Sequence, residues 1–180
     1  MKLALLSLVI ILLAACGPET QEQDVATDRS PSELINQIEE KEEAFRETED
    51  PAERKEQANV LIEILKEFAE NHPEHEKTPA YLERAGNLSA HEARDYTQAI
   101  GFFEQIYKNH PENDRAPDAK FTVAYLYDTA LEKTDKAEKT YRDFIEEHPD
   151  HKLAEDAEFA IDFIDKDPDE IMESFRENER

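Results

Sequence analysis

Asp95-Tyr96-Thr97-Gln98-Ala99-Ile100-Gly101-Phe102-Phe103-Glu104-Gln105-Ile106-Tyr107-Lys108-Asn109-His110-Pro111 is the stretch from which the fold can be read. Ala99, Phe103 and Ile106 follow one another at steps of four and three, which puts them on one face of a helix, and the proline beyond them cannot continue it. The same order returns later in the chain as Ala137, Tyr141, Phe144 and His148-Pro149, and stands earlier as Leu61, Leu65, Phe68 and His72-Pro73. The three His-Pro pairs are 38 residues apart in both steps. Three apolar columns held in phase over that distance mark an internal repeat rather than a coincidence of composition.

The helix that precedes this one in each unit repeats too. Gly86 maps onto Ala124, and Leu88, Leu126 and Ile164 share a column. A small residue in that place lets two helices of a hairpin approach closely. Helix starts are written in Ser30-Pro31-Ser32-Glu33, Asp50-Pro51-Ala52-Glu53 and Asp167-Pro168-Asp169-Glu170, each with an oxygen-bearing cap, a proline in the first turn and a following glutamate. With Thr78-Pro79 and Ala116-Pro117 these predict seven or eight helices, and no stretch alternates at period two for long enough to compete. The expected class is all-α. Because one hairpin cannot bury its apolar face alone, stacked hairpins are required, giving a right-handed α-solenoid with a 38-residue period.

This spacing resembles the tetratricopeptide repeat, whose second helix carries a small residue, an aromatic four later, an apolar residue three after that and a proline at the turn. Ala99, Phe103, Ile106 and Pro111 match it, as do Ala137, Tyr141, Phe144 and Pro149, and Asp95-Tyr96 is similar to the turn between the family's two helices. The resemblance implies a helical domain over residues 31–180, with a leading helix at 31–48 and repeats from about 50. The period is 38 where 34 is usual, and the first-helix signature is reduced to Ala85-Gly86 and Val123-Ala124. Longer repeats with Asn-His-Pro-Glu turns resemble the tetratricopeptide lipoproteins of Gram-negative envelopes, of the BamD and YbgF/CpoB types.

In that family the first helix of each pair lines a concave face. The positions implied are Glu83, Asn87 and His91 in one unit and Phe121, Tyr125 and Asp128 in the next. A core role for Phe121 and Tyr125 is the competing reading, since a one-residue error of helix phase exchanges the faces. No Lys or Arg cluster occurs among the six, which argues against a clamp for a terminal carboxylate and for a partner segment with basic residues.

Upstream, Lys2 and the apolar run Leu3 to Leu13 precede two alanines and the chain's single cysteine. The run is short for a membrane span and reads as a secretory signal over residues 1–15. Leu13-Ala14-Ala15-Cys16-Gly17 resembles the bacterial lipobox, which implies acylation of Cys16, and Gly17 in the second place implies the outer membrane. Residues 16–30 are then a lipidated cysteine and an acidic tether, too polar to bury a core. The whole chain carries 45 acidic and 21 basic residues, a net charge of −24. Such a surface repels phosphate backbones, so nucleic acid is excluded as a partner, and membrane attachment falls to the acyl chains.

Chemistry is sparse. His72 with His75, and His148 with His151, form two His-x-x-His pairs, but His110 has Asn113 at the second place, and turn roles explain the series better than zinc. There is no Gly-rich phosphate loop or nucleophile elbow, and no cofactor is expected. Asp128-Thr129-Ala130 is similar to a short O-glycosylation signal but lies inside a predicted helix. The expectation is a non-enzymatic, protein-binding scaffold lipoprotein of the outer membrane, in envelope assembly or maintenance. Its alternatives are a substrate- or metal-binding lipoprotein and an accessory subunit of an envelope enzyme complex.

Overall fold

A computed structural model describes residues 29–164 continuously, with 166, 167, 169, 170, 172, 173 and 176 beyond them. The expected signal at 1–15, Cys16 and the tether up to residue 28 lie outside the described residues. Seven α-helices are described: α1 (Pro31–Glu47), α2 (Pro51–Asn71), α3 (Thr78–Leu88), α4 (Tyr96–Asn109), α5 (Ala116–Thr129), α6 (Thr134–Glu147) and α7 (Ala154–Phe163). Among the described residues there is no strand. Each helix packs on its neighbours in sequence, so the hairpins α1–α2, α3–α4 and α5–α6 follow one another as an α-solenoid with α7 at the end.

Local chemistry places the helix starts where the sequence puts them. Ser30 accepts from the backbone N–H of Glu33, while the Glu33 carboxylate accepts from that of Ser30 at 2.9 Å. The Ser30 hydroxyl lies 2.7 Å from the same carboxylate, and the hydrogen bonds from that hydroxyl and from the Ser30 N–H favour the ionised form and hold the Glu33 carboxyl below its ordinary range. Asp50 accepts from the N–H groups of Ala52 and Glu53. The Asp167 carboxylate accepts from Asp169 N–H at 2.9 Å, and residues 169, 170, 172, 173 and 176 are helical, as the motif at Asp167 predicts.

The His-Pro turns are three copies of one structure. His72, His110 and His148 close α2, α4 and α6 with nearly identical backbone angles, φ −131, −130 and −134°, each donating its N–H to the carbonyl four residues back. Three residues on, a side chain then catches the chain again. His75 Nδ1 accepts from Lys77 N–H at 3.1 Å, Asn113 Oδ1 from Arg115 N–H at 3.1 Å, and His151 Nδ1 from Leu153 N–H at 3.3 Å. An imidazole nitrogen and an amide oxygen are interchangeable acceptors here, which explains why Asn113 can stand where the other two turns have histidine. The same geometry gives the His-x-x-His pairs a backbone role.

The close of the first helices also repeats. Arg94 and Glu132 are the described non-glycine residues with positive φ, at 59 and 50°. They are one period apart, and in each case the next N–H reaches back six residues, Asp95 to Ser89 at 2.8 Å and Lys133 to Tyr127 at 2.7 Å. Between α3 and Arg94 the chain winds as a π-helical turn, Ser89–Ala93. Ser89 is buried there, its hydroxyl 2.8 Å from the Ala85 carbonyl and 2.9 Å from Gln98 Oε1. Nothing in the hydrophobic pattern signals this turn, because the period is unchanged. Asp128 and Thr129 lie inside α5, in its last turn, with Thr129 exposed and its hydroxyl donating to the Tyr125 carbonyl at 2.8 Å.

All nine residues of the three second-helix columns are at most 3 % exposed. Gly86 shows why its place must be small: a Cβ there would stand 2.8 Å from the ring of Phe103. Lys120 replaces Leu82 at the same place one repeat later, and it stays buried by pairing with Glu147 at 2.6 Å beneath the Tyr107 ring.

His148 yields a pH dependence. Its ring lies against Phe144, and burial lowers its pKa, with Lys120 and His151 adding to the shift and Glu147 opposing it. The unfolded imidazole titrates near 6.5, so below that value the unfolded chain takes the proton first and folding is weakened as pH falls. We expect the melting midpoint to drop more between pH 7.5 and 5.5 in the wild type than in His148→Gln. Parallel midpoints would contradict this origin.

Candidate partner-binding groove

One register position on the first helices carries Glu83 on α3, Phe121 on α5 and Phe159 on α7, and a second, four residues further, carries Asn87, Tyr125 and Phe163. The column therefore changes from polar to aromatic along the array. In the structure Phe121, Tyr125 and Asp128 of α5 face Asp156, Phe159, Ala160, Phe163 and Ile164 across a groove of about 350 Å³, with Tyr141 of α6 in its wall.

Packing orders this site. Phe121 is half-buried, edge-on to Tyr141 at 5.5 Å and to Phe144 at 5.7 Å, so it is both core and groove wall. Tyr125 is 50 % exposed and Phe159 52 % exposed, large apolar surfaces left in water. The rings of Phe159 and Phe163 lie 4.5 Å apart and form one continuous side. Burial, with Asp128 and Tyr125 adding to it, holds the Tyr141 hydroxyl well above its ordinary range, so it is neutral. The rim is acidic, with Asp128 on one side and Asp156 on the other.

The six positions expected from the family resemblance divide into two groups. Phe121, Tyr125 and Asp128 meet in the groove. Glu83, Asn87 and His91 do not line it: Glu83 is engaged with Arg115 at 2.8 Å, Asn87 is half-buried on α3, and His91 is exposed on the π-helical turn. The opposite wall, Asp156, Phe159 and Phe163, was missed by carrying the positions over two units only. One further step of 38 residues leads from Phe121 to Phe159 and from Tyr125 to Phe163. Among the described residues no group of three or more His, Cys, Asp or Glu side chains is placed to hold a metal ion.

The family model of the tetratricopeptide repeat matches residues 81–113 and 118–151. These spans are α3 with α4 and its turn, and α5 with α6 and its turn. No curated protein matches the chain. Repeats of this kind present surfaces to other proteins, and an interaction scaffold is the role that the helical array supports. Residues 81–113 and 118–151 thus match the tetratricopeptide repeat, and the two matched units are the α3–α4 and α5–α6 hairpins.

Proposed function

We propose that the chain is an outer-membrane lipoprotein that holds a protein partner at the envelope during its assembly or maintenance, gripping a segment with apolar and basic side chains in the α5–α7 groove. The observation that carries this reading is the pairing of exposed aromatic rings, Tyr125 and Phe159, with the carboxylates Asp128 and Asp156 in one groove. Aromatic rings that lose water on binding supply most of the affinity at such sites, and charges of one sign select and steer the partner.

The anchor rests on the lipobox-like sequence before Cys16. Among the described residues no helix is long and apolar enough to cross a membrane. The path from the anchor enters the solenoid at Arg29, which is bonded to Glu67 at 2.7 Å and whose carbonyl lies 2.8 Å from His72 Nε2, so the tether joins the domain at the edge that carries the His-Pro turns. Fully extended, the roughly 13 residues between Cys16 and Arg29 reach about 45 Å at most, which keeps that edge near the bilayer.

Removal of the thiol tests the anchor. Cys16→Ser is expected to abolish metabolic labelling with a fatty acid and to move the protein from the membrane to the soluble envelope fraction. A variant that stays with the membrane would overturn the lipoprotein reading. The scaffold reading is tested separately, by crosslinking from the groove in intact envelopes.

A further inference from the structure

The three His-Pro turns stand one period apart, and the two gaps between them are built differently. Between the His110-Pro111 and His148-Pro149 turns the chain supplies its own cations. Lys152 reaches Asp118 of α5 at 3.4 Å, with His151 3.9 Å from the same carboxylate, and Lys120 pairs with Glu147 at 2.6 Å. One period earlier the places of Lys152, Asp118, Lys120 and Glu147 are held by Asp114, Ala80, Leu82 and Asn109. Neither bridge can form there, because both cations are gone and Ala80 offers no carboxylate.

The gap without bridges is a cleft of about 370 Å³ between the His72-Pro73 and His110-Pro111 turns. His75 and Pro79 line it on one side, His110 and Pro111 on the other. Its rim is acidic, with Glu74 and Glu76 facing Glu112, all three exposed. Among the described residues none of these carboxylates forms an ion pair, and Arg115, the cation of the second turn, is turned to Glu83 at 2.8 Å. One wall is held in place by its own contacts. The His75 ring stands edge-on to Phe68 with centroids 5.1 Å apart, and its Nδ1 accepts from the Lys77 N–H. A wall fixed in this way costs little ordering when a ligand enters.

Shape and charge together select the occupant. Imidazole and pyrrolidine rings give flat walls, and carboxylates surround the mouth. A guanidinium suits both, since its faces stack on rings and its edge donates to carboxylates. An ammonium meets the charge alone. The two imidazoles do not begin a metal site, because among the described residues no group of three or more His, Cys, Asp or Glu side chains is placed to hold an ion. We propose that the cleft between the first two His-Pro turns docks an arginine side chain of a partner protein, which takes the place that Lys152 fills one repeat later. The cleft shares no residue with the α5–α7 groove, so the two sites are independent.

The test titrates N-acetyl-arginine amide into the ¹⁵N-labelled full chain and follows the backbone amides by nuclear magnetic resonance. Saturable shifts are expected at His75, Asn109, His110 and Glu112, and N-acetyl-lysine amide should bind at least threefold more weakly. Glu112→Gln should weaken the arginine probe at least threefold. Asp114→Lys combined with Ala80→Asp rebuilds the bridge of the following gap and should weaken it at least tenfold. The new aspartate would lie in the first turn of α3, where a carboxylate is favourable, so this chain should stay folded, which its unshifted α2 and α6 amides would report. Glu56→Lys, on the exposed face of α2, should leave binding within twofold. Equal binding of the two probes, equal loss from Glu56→Lys and the bridged chain, shifts centred on Tyr125 and Asp128, or no saturable shift would overturn the proposal. A concentration-dependent dimer that the rebuilt bridge abolishes would name a second copy as the occupant and overturn it equally.

Discussion

Phe103→Ala is expected to cost about 3–5 kcal/mol of folding stability, the range for removing a buried phenyl ring from a core that cannot collapse around the hole. The ring is 3 % exposed and fills the space that Gly86 leaves at the α3–α4 crossing, so the cavity would lie between two helices held apart by their other contacts. Its cluster extends from Leu34 on α1 to Leu126 on α5, and neighbouring units share their interfaces, so loss should spread beyond one hairpin. Urea denaturation followed by circular dichroism reads both the midpoint and the slope. Gly86→Val should also cost roughly 1–3 kcal/mol of folding stability and so lower the midpoint, because the added atoms meet the same ring from the other side. A loss under about 1 kcal/mol for Phe103→Ala would mean that the ring is not enclosed.

Tyr125→Ala should act on binding and leave the fold alone. Half of its surface is already in water and the core clusters do not include it, so its removal should keep the helical signal and the denaturation midpoint. Against a purified partner it should raise Kd at least about 30-fold, the loss that accompanies a hot-spot aromatic of 2 kcal/mol or more. Phe121→Ala should do the reverse and unfold the second core cluster, since that ring rests on Tyr141 and Phe144. Neutralising Asp128 and Asp156 should mainly slow association and flatten its salt dependence.

The contrast between those neighbours bounds what the sequence could tell. The columns Ala99–Phe103–Ile106 and Ala137–Tyr141–Phe144 were readable because helix period, repeat period and proline punctuation all agree, and the described structure buries each of those residues. The groove was half readable. Phe121 and Tyr125 sit four residues apart on one helix, and periodicity alone cannot say which side of a partly buried helix each faces. Only the placement of α6 and α7 makes the first a wall and the second a surface. Glu83, Asn87 and His91 occupy the corresponding positions of α3, but Glu83 is taken up by Arg115 and His91 is carried onto a π-helical turn that the unchanged period conceals. The backbone roles of His75 and His151 became visible only beside Asn113, whose shorter side chain makes the same bond.

The most direct test of a groove-bound partner is site-specific photocrosslinking in intact envelopes, with the photoreactive residue placed in turn at Tyr125, at Phe159 and at Lys139, whose side chain on α6 is 75 % exposed. The account predicts one adduct of the same mass from Tyr125 and Phe159, none from Lys139, and loss of the Phe159 adduct when Tyr125→Ala is added. The same adduct from Lys139 with none from the two groove positions would contradict it, because the partner would then be held on the second-helix side of the array.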